Sequence, residues 1–351
     1  TRLNMPRVDY LNNSNGSLIL EPQRSNLVTY SSDFSQWGNA RTTDTSNQIT
    51  SPDGLNEGTL LEQQSGQTNA GSIYLGGLGL SSGTYAQSIF AKKKDKDFIV
   101  CYSANAERTY FNLSNGTIGT IASGNTAKIE DYGNGWYRCT ITYTITSGGV
   151  IAFYLSDSDN SSVVTDSGGV YIYGAMLEQG SYSTSIINTS GSTVTRNQDT
   201  CSITNVADRI NSSEGVFYFE GSSLASSTSA LHQISLSDGS GNNRVMIYPF
   251  SQTQLGLRFN ANTSQLVAQT VTVSNLSVNN KIAVKWGNGN YSLYQNGSKI
   301  YNQAITSTPI GLYKLNFSSV TETAEFVGSI KDLKVYNTAL TDQELATLTT
   351  L

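Results

Sequence analysis

Charge is scarce in this chain. Only 13% of its 351 residues are Asp, Glu, Lys or Arg, against about 25% in an average soluble domain. Its surface must therefore be solvated largely by neutral hydrogen-bonding groups. The net charge is −5, and a nucleic-acid partner would demand clustered Lys and Arg, so none is expected. The single basic run, AKKKDKD at 91–97, carries two Asp and reads as a solvated turn at a strand end. Three cysteines, Cys101, Cys139 and Cys201, are too few and too odd for a disulfide framework; free thiols and folding in a reducing cytoplasm are expected. No apolar run approaches the eighteen or so residues that span a bilayer. The opening TRLNMPRVDY also lacks a signal core, so no membrane insertion is expected and the chain reads as a piece of a longer protein.

Catalytic groups are equally sparse. The lone histidine, His232, sits in the strand-like ALHQISL with no nucleophile motif beside it, so no triad can be assembled. HExxH, GxxxxGK and CxxC are all missing. The chain is expected not to be an enzyme.

What the chain has is Gly, Ser, Thr, Asn and 20 tyrosines, arranged as short alternating runs between Asn/Gly/Ser/Asp clusters. Strands every 8 to 12 residues or so predict an all-β protein. The length suits two domains of about 150 to 200 residues. SLILE, TYAQSIFAK, DFIVCYSA, GWYRCTITYTI, VIAFYLS and GVYIYGAMLE precede a polar passage at 185–205, and a second series starts at GVFYFEG. Two β-sandwich domains in tandem, 1–200 and 205–351, are predicted. Near the end, IAVKWGNGNYSLYQNGSKI (282–300) reads as a two-stranded hairpin turning at Asn296-Gly297. GSIKDLKVYNTALTDQELATL (328–348) reads as a strand and one short helix, with Thr341 and Glu344 as a capping box.

These last two segments together resemble the closing half of a laminin-G-like, concanavalin-type β-sandwich. Members of that family mostly bind sugars or proteins. Its glycosidases carry paired carboxylates on one strand, and no E-x-D-x-x-E-like run occurs here. In the first half, LILEPQRSNLVTYSSDFSQW, SPDG, GNGWYRC and GAMLEQGSYSTSIINTSGSTVTR follow one another with the order and spacing of a jelly-roll module common in bacteriophage tail and head fibres. The resemblance covers residues 7–200, with Asn188 and Gln198 where that family would carry Pro and Ala. It implies a carbohydrate-binding-module-like fold, a place on the virion after folding in the bacterial host cytoplasm, and a homotrimer in the intact fibre.

Sugars are recognised by flat aromatic faces together with planar polar groups, and strand parity shows where to seek them. Tyr137, Cys139, Ile141 and Tyr143 mark the inner face of their strand, which turns Trp136 and Arg138 outward. By the same alternation Tyr154, Tyr171 and Tyr173 point away from the core. If their strands share a sheet, these five residues line one aromatic surface. In the second domain Leu255, Leu257, Phe259, Ile282, Val284 and Trp286 face inward, leaving Tyr248, Arg244, Arg258, Lys285 and Tyr294 outside. A structural Ca²⁺ has two candidate sites. One is the oxygen-rich loop at Asp157 and Asp159. The other is the pair Glu21 and Asp199, implied only by the jelly-roll resemblance. No other cofactor is expected.

The reading that unites these features is a non-catalytic fibre region that binds host surface glycan. A structural decoration module without ligand, and an accessory region of a secreted polysaccharide-degrading enzyme, are the alternatives.

Overall fold

The computed structural model describes residues 6–11, 13–224, 232–320 and 324–351. They form an all-β protein with one short C-terminal α-helix, divided into two compact units. One unit is Gln23–Arg196; the other joins Thr1–Pro22 to Asn197–Leu351. Residues 6–11 and 13–22 therefore pack with the C-terminal sandwich. The reason is strand pairing: Val8–Asp9 pairs with Ser17–Leu20, and Ser17–Leu20 pairs in turn with Gly328–Tyr336. A salt bridge adds to the closure, because Arg7 binds Glu21 at 2.5 Å and also Asp199. Asp199 N–H donates to the Glu21 carbonyl at 3.0 Å.

Unit Gln23–Arg196 holds two antiparallel six-stranded sheets. The first runs Thr117–Ile118, Arg108–Asn112, Phe98–Tyr102, Ile151–Ser156, Ser72–Leu75, Gly38–Ala40. The second runs Thr126–Asp131, Trp136–Ile145, Gly83–Lys93, Gly169–Gln179, Gly58–Gln63, Thr42–Ile49. Ile99, Cys101 and Phe153 of the first meet Ile89, Cys139, Ile141 and Leu177 of the second in one buried core. The period-2 alternation of these strands is what makes a two-layer sandwich. The unit is closed at its entry and exit, where Arg24–Asn26 pairs with Val194–Arg196 and Arg24 lies opposite Arg196.

One strand breaks the alternation. In Gly169–Gln179 the register shifts between Tyr173 and Met176, and Gly174 takes φ +62. A glycine-centred bulge inserts one residue and reverses which side chains face inward. Val170 and Ile172 point into the core, and beyond the bulge so do Ala175 and Leu177. A Cβ on Gly174 would sit 2.5 Å from the Ile186 side chain, so both backbone angle and space require glycine there.

The other unit pairs a seven-stranded sheet with a six-stranded one around Phe217, Leu257, Phe259, Val284, Trp286 and Tyr291. The segment read from sequence as a two-stranded hairpin is three strands: Asn280–Gly287, Asn290–Gln295 and Ser298–Ala304. Both turns are Asn-Gly with positive φ at each residue, 288–289 as well as 296–297, the signature of tight type I′ turns. The first of them went unread in the sequence. Helix Asp342–Thr349 carries the expected capping box between Thr341 and Glu344. It lays Leu345 and Leu348 over the outer face of the seven-stranded sheet, on Val216, Tyr218, Ala283 and Tyr294.

Candidate functional site

Three tyrosines and an arginine, none of them fully buried, share the outer face of the first sheet of unit Gln23–Arg196. Strand register puts Arg108 opposite Tyr102, Tyr102 opposite Ala152, Ala152 opposite Tyr74, and Tyr74 opposite Gly38. Residues paired in this way share a face. Tyr154 lies two residues beyond Ala152, on the same side. The Tyr102 and Tyr154 rings are 5.6 Å apart and tilted by 57°. The Arg108 guanidinium lies 4.5 Å above the centre of Tyr154 and 6.0 Å from that of Tyr102. Across the sheet Tyr74, 39% exposed, lies over Gly38, where a Cβ would meet its ring at 2.3 Å.

Between the two groups of rings lies Ala152, which its neighbours leave only 2% exposed. Two strand spacings, about 10 Å, separate Tyr102 from Tyr74. The result is a shallow aromatic trough with a cation at one end. The phenol hydroxyls of Tyr74, Tyr102 and Tyr154 bond to no protein group among the described residues, and Arg108 meets no carboxylate there. These groups are free to bind something else.

The five residues expected to form one aromatic surface do not do so. Tyr154 lies on the first sheet, whereas Trp136, Arg138, Tyr171 and Tyr173 share the outer face of the second. That face is largely covered. Trp136 and Tyr173, 3% and 1% exposed, pack with Phe90, and half-buried Tyr171 lies against them. Segments 49–55 and 181–187 fold over this cluster: Trp136 Nε1 donates to the Thr50 carbonyl at 3.0 Å, and Tyr173 donates to Asp53 at 2.7 Å.

Arg138 is buried as well, stacked over Phe90 and donating to Ser88 Oγ and the Thr184 carbonyl. Thr184 in turn donates through N–H and Oγ1 to fully buried Glu178. Burial pushes the Glu178 carboxyl upward, opposed by the Thr184 donors and the charges of Arg138 and Arg196. The arrangement fastens 181–187 to the sheet and leaves Arg138 no open donor face for a ligand.

In the other unit Tyr248 is 3% exposed, beneath Arg258, whose guanidinium lies 5.1 Å over the ring and donates to the Leu257 carbonyl. Tyr294 is 2% exposed because the C-terminal helix covers it. Parity placed both outside the core correctly, but it carries no information about what lies on top.

The carboxylates expected to hold calcium are engaged by protein donors. Arg7 stands between Glu21 and Asp199. Lys96, whose side chain is 1% exposed, pairs with Asp157 at 2.5 Å and with Asp166. Asp159 accepts from Thr120 N–H and Oγ1. A cation already neutralises each cluster that has two carboxylates, so these residues do not fit a Ca²⁺ ion. Among the described residues no group of three or more His, Cys, Asp or Glu side chains is placed to hold a metal.

Tyr74, Tyr102 and Arg108 were not anticipated. The signal was present: Ile73, Ile99, Cys101 and Phe111 are the inward partners that turn Tyr74, Tyr102 and Arg108 outward.

Comparison with known proteins adds the following. Residues 217–346 match the family model of the concanavalin A-like lectin/glucanases superfamily. No curated protein sequence matches. Among solved structures, the CBM40 module of the Ruminococcus gnavus IT-sialidase, bound to α2,3-sialyllactose, is 16% identical with a TM-score of 0.35, covering 43% of this chain and 97% of that one. The NanB sialidase of Streptococcus pneumoniae is 17% identical with a TM-score of 0.36, over 43% of this chain and 26% of that one. A SAP-like pentraxin from Limulus polyphemus is 16% identical with a TM-score of 0.30, over 38% and 69%. Identities and superpositions at this level carry no function across to this chain.

Proposed function

We propose that this chain is a non-catalytic carbohydrate-binding region of a bacteriophage fibre or receptor-binding protein, and that host surface glycan lies along the trough formed by Tyr74, Ala152, Tyr102, Tyr154 and Arg108. The observation that carries the reading is the Arg108–Tyr154–Tyr102 stack, partly exposed on the outer face of its sheet with its polar atoms unspent. Pyranose rings offer apolar C–H faces to aromatic rings and hydroxyls to planar donors. The trough supplies both. The match of residues 217–346 to a lectin and glucanase superfamily is compatible with a second recognition unit. The fibre origin is supported by the jelly-roll resemblance over 7–200 and implies a virion location.

A single shallow trough of this kind binds weakly, and repetition along an oligomeric fibre, expected to be trimeric, would raise the avidity. The test is a glycan array probed with the whole chain and with Tyr154→Ala and Tyr102→Ala variants. Binding by the parent and its loss in both variants supports the reading. A silent array from a folded parent overturns it. If Tyr154→Ala then lowered self-association, the trough would be a subunit contact of a structural module.

A further inference from the structure

A second feature of unit Gln23–Arg196 lies on the opposite sheet and plays no part in the trough. Over the Trp136 end of the second sheet there is a pocket of about 260 Å³. One wall is the turn 131–136. There Gly133, Asn134 and Gly135 all take positive φ, and Asp131 accepts from Gly133 N–H at 2.7 Å. The other wall is the loop 49–55. It is held by Ser51 Oγ, which bonds Asp53 and the Leu55 carbonyl, and by Trp136 Nε1 on the Thr50 carbonyl. Both walls are therefore shaped before any ligand arrives.

Lining the pocket are Trp136 and Tyr132, the latter edge-on to Phe90 at 4.8 Å, with polar groups from Thr50 and Asn134. Into the same space comes Lys92, whose register partners are Trp136 and Tyr171. Its stem passes under Gly135, where a Cβ would lie 3.5 Å from Lys92 Cε. Among the described residues no carboxylate pairs with the Lys92 ammonium, whereas neighbouring Lys93, Lys94 and Lys96 all have acidic partners. Asp53 is not a substitute, since Tyr173, Ser51 and Leu55 already donate to it.

We infer that this pocket is a separate binding site for a single anionic sugar ring, with its carboxylate on Lys92 and its ring against exposed Tyr132, above the mostly buried Trp136. The volume lies just below the range of drug-sized sites and suits one ring better than an extended chain. A half-buried cation without a counter-ion selects charge, because its attraction is screened less than that of an exposed one. The inference borrows from the proposed function only the class of ligand, a saccharide.

The experiment titrates the whole chain with D-glucuronate and, separately, with D-glucose at low ionic strength, read by saturation-transfer NMR. The two probes differ in the carboxylate. Glucuronate is expected to bind about tenfold tighter, a preference that falls with added salt, disappears in Lys92→Gln and survives in Lys92→Arg. Lys128→Gln, which removes an exposed charge outside the pocket, leaves it unchanged. Equal binding of the two sugars, binding of neither, or a preference that survives Lys92→Gln overturns the proposal. Tyr154→Ala separates the two sites: glucuronate preference intact in that variant supports the pocket even if the trough binds nothing. Preference lost in that variant would place the acid-selective site in the trough and overturn this one.

Discussion

The guanidinium of Arg108 lies 4.5 Å above the ring of Tyr154, with no carboxylate to hold it among the described residues. A stack of this kind contributes about 0.5–1 kcal/mol where it is exposed, enough to set the side-chain position and little more. Glycan affinity is expected to fall about tenfold, ~1.4 kcal/mol, in Tyr154→Ala, and less in Tyr154→Phe, which keeps the ring. Calorimetric titration with whichever glycan the array returns distinguishes them; equal losses would mean that the hydroxyl, and not the ring face, carries recognition.

Asn26 is fully buried and uses its whole amide. Nδ2 donates to the Ala175 and Ile187 carbonyls, and Oδ1 accepts from Val28 and Leu177 N–H. Asn26→Ala strands two donors and two acceptors in the interior and should cost about 3–5 kcal/mol. Asn26→Asp is expected to be no better, since it turns a carboxylate toward two carbonyls. Urea unfolding of both variants checks this; a loss under about 1 kcal/mol would mean that water replaces the amide.

Acid should loosen unit Gln23–Arg196 through Lys96. Partial burial pushes Asp157 up, but the Lys96 and Thr165 donors prevail and hold it below the usual carboxylate range. Lys96 chiefly does the same for Asp166. A carboxylate depressed in the folded state binds fewer protons there than in the unfolded chain, so its contribution is present above the unfolded value and is lost as pH falls through the folded one. Stability should therefore decline below about pH 4. Lys96→Met should remove that part of the decline. Urea midpoints measured from pH 5 downward test it, and parallel parent and variant curves would rule it out.

Thiol labelling should be ordered. Cys101 and Cys139 are fully buried in the core, and burial pushes both thiols up. Cys201 is only half-buried. A thiol reagent at pH 8 is expected to modify Cys201 first, and the other two only when unit Gln23–Arg196 opens. Mass spectrometry of the labelled peptides would show it. Simultaneous labelling of all three would contradict the tight core.

Tyr291 buries its hydroxyl in the other core, between Phe259 and Tyr301, with no hydrogen-bond partner among the described residues. Tyr291→Phe is expected to leave stability unchanged or raise it by up to about 1 kcal/mol, read from the thermal midpoint. A clear loss would reveal a buried water on that oxygen.

Alternation of side chains was enough to read the all-β class, the inward faces of most strands and the capped helix, because a half-buried strand writes its orientation in every second residue. It failed where a third layer intervenes. Trp136, Tyr173 and Tyr294 do point away from the cores, but loops 49–55 and 181–187 and the helix lie over them, and no local pattern encodes that cover. Glu178 shows the other limit: parity carried on from Val170 would put it in the core, and one left-handed glycine at 174 turns it onto Thr184. The jelly-roll resemblance offered a further pair, Glu21 and Asp199, as metal ligands; Arg7, distant from Asp199 along the chain, stands between them.

The pairing of residues 6–22 with the strands of the C-terminal sandwich has a mechanical corollary. Tension applied at the two ends of the chain enters through Ser17–Leu20 and leaves beyond Asp199, and these are already tied by the Glu21–Asp199 hydrogen bond and the Arg7 salt bridges. The sandwich bears the pull, and unit Gln23–Arg196, whose two ends pair at Arg24 and Arg196, is not in series with it along the chain. A unit inserted in that way keeps its strand pairing while the sandwich it interrupts is under load.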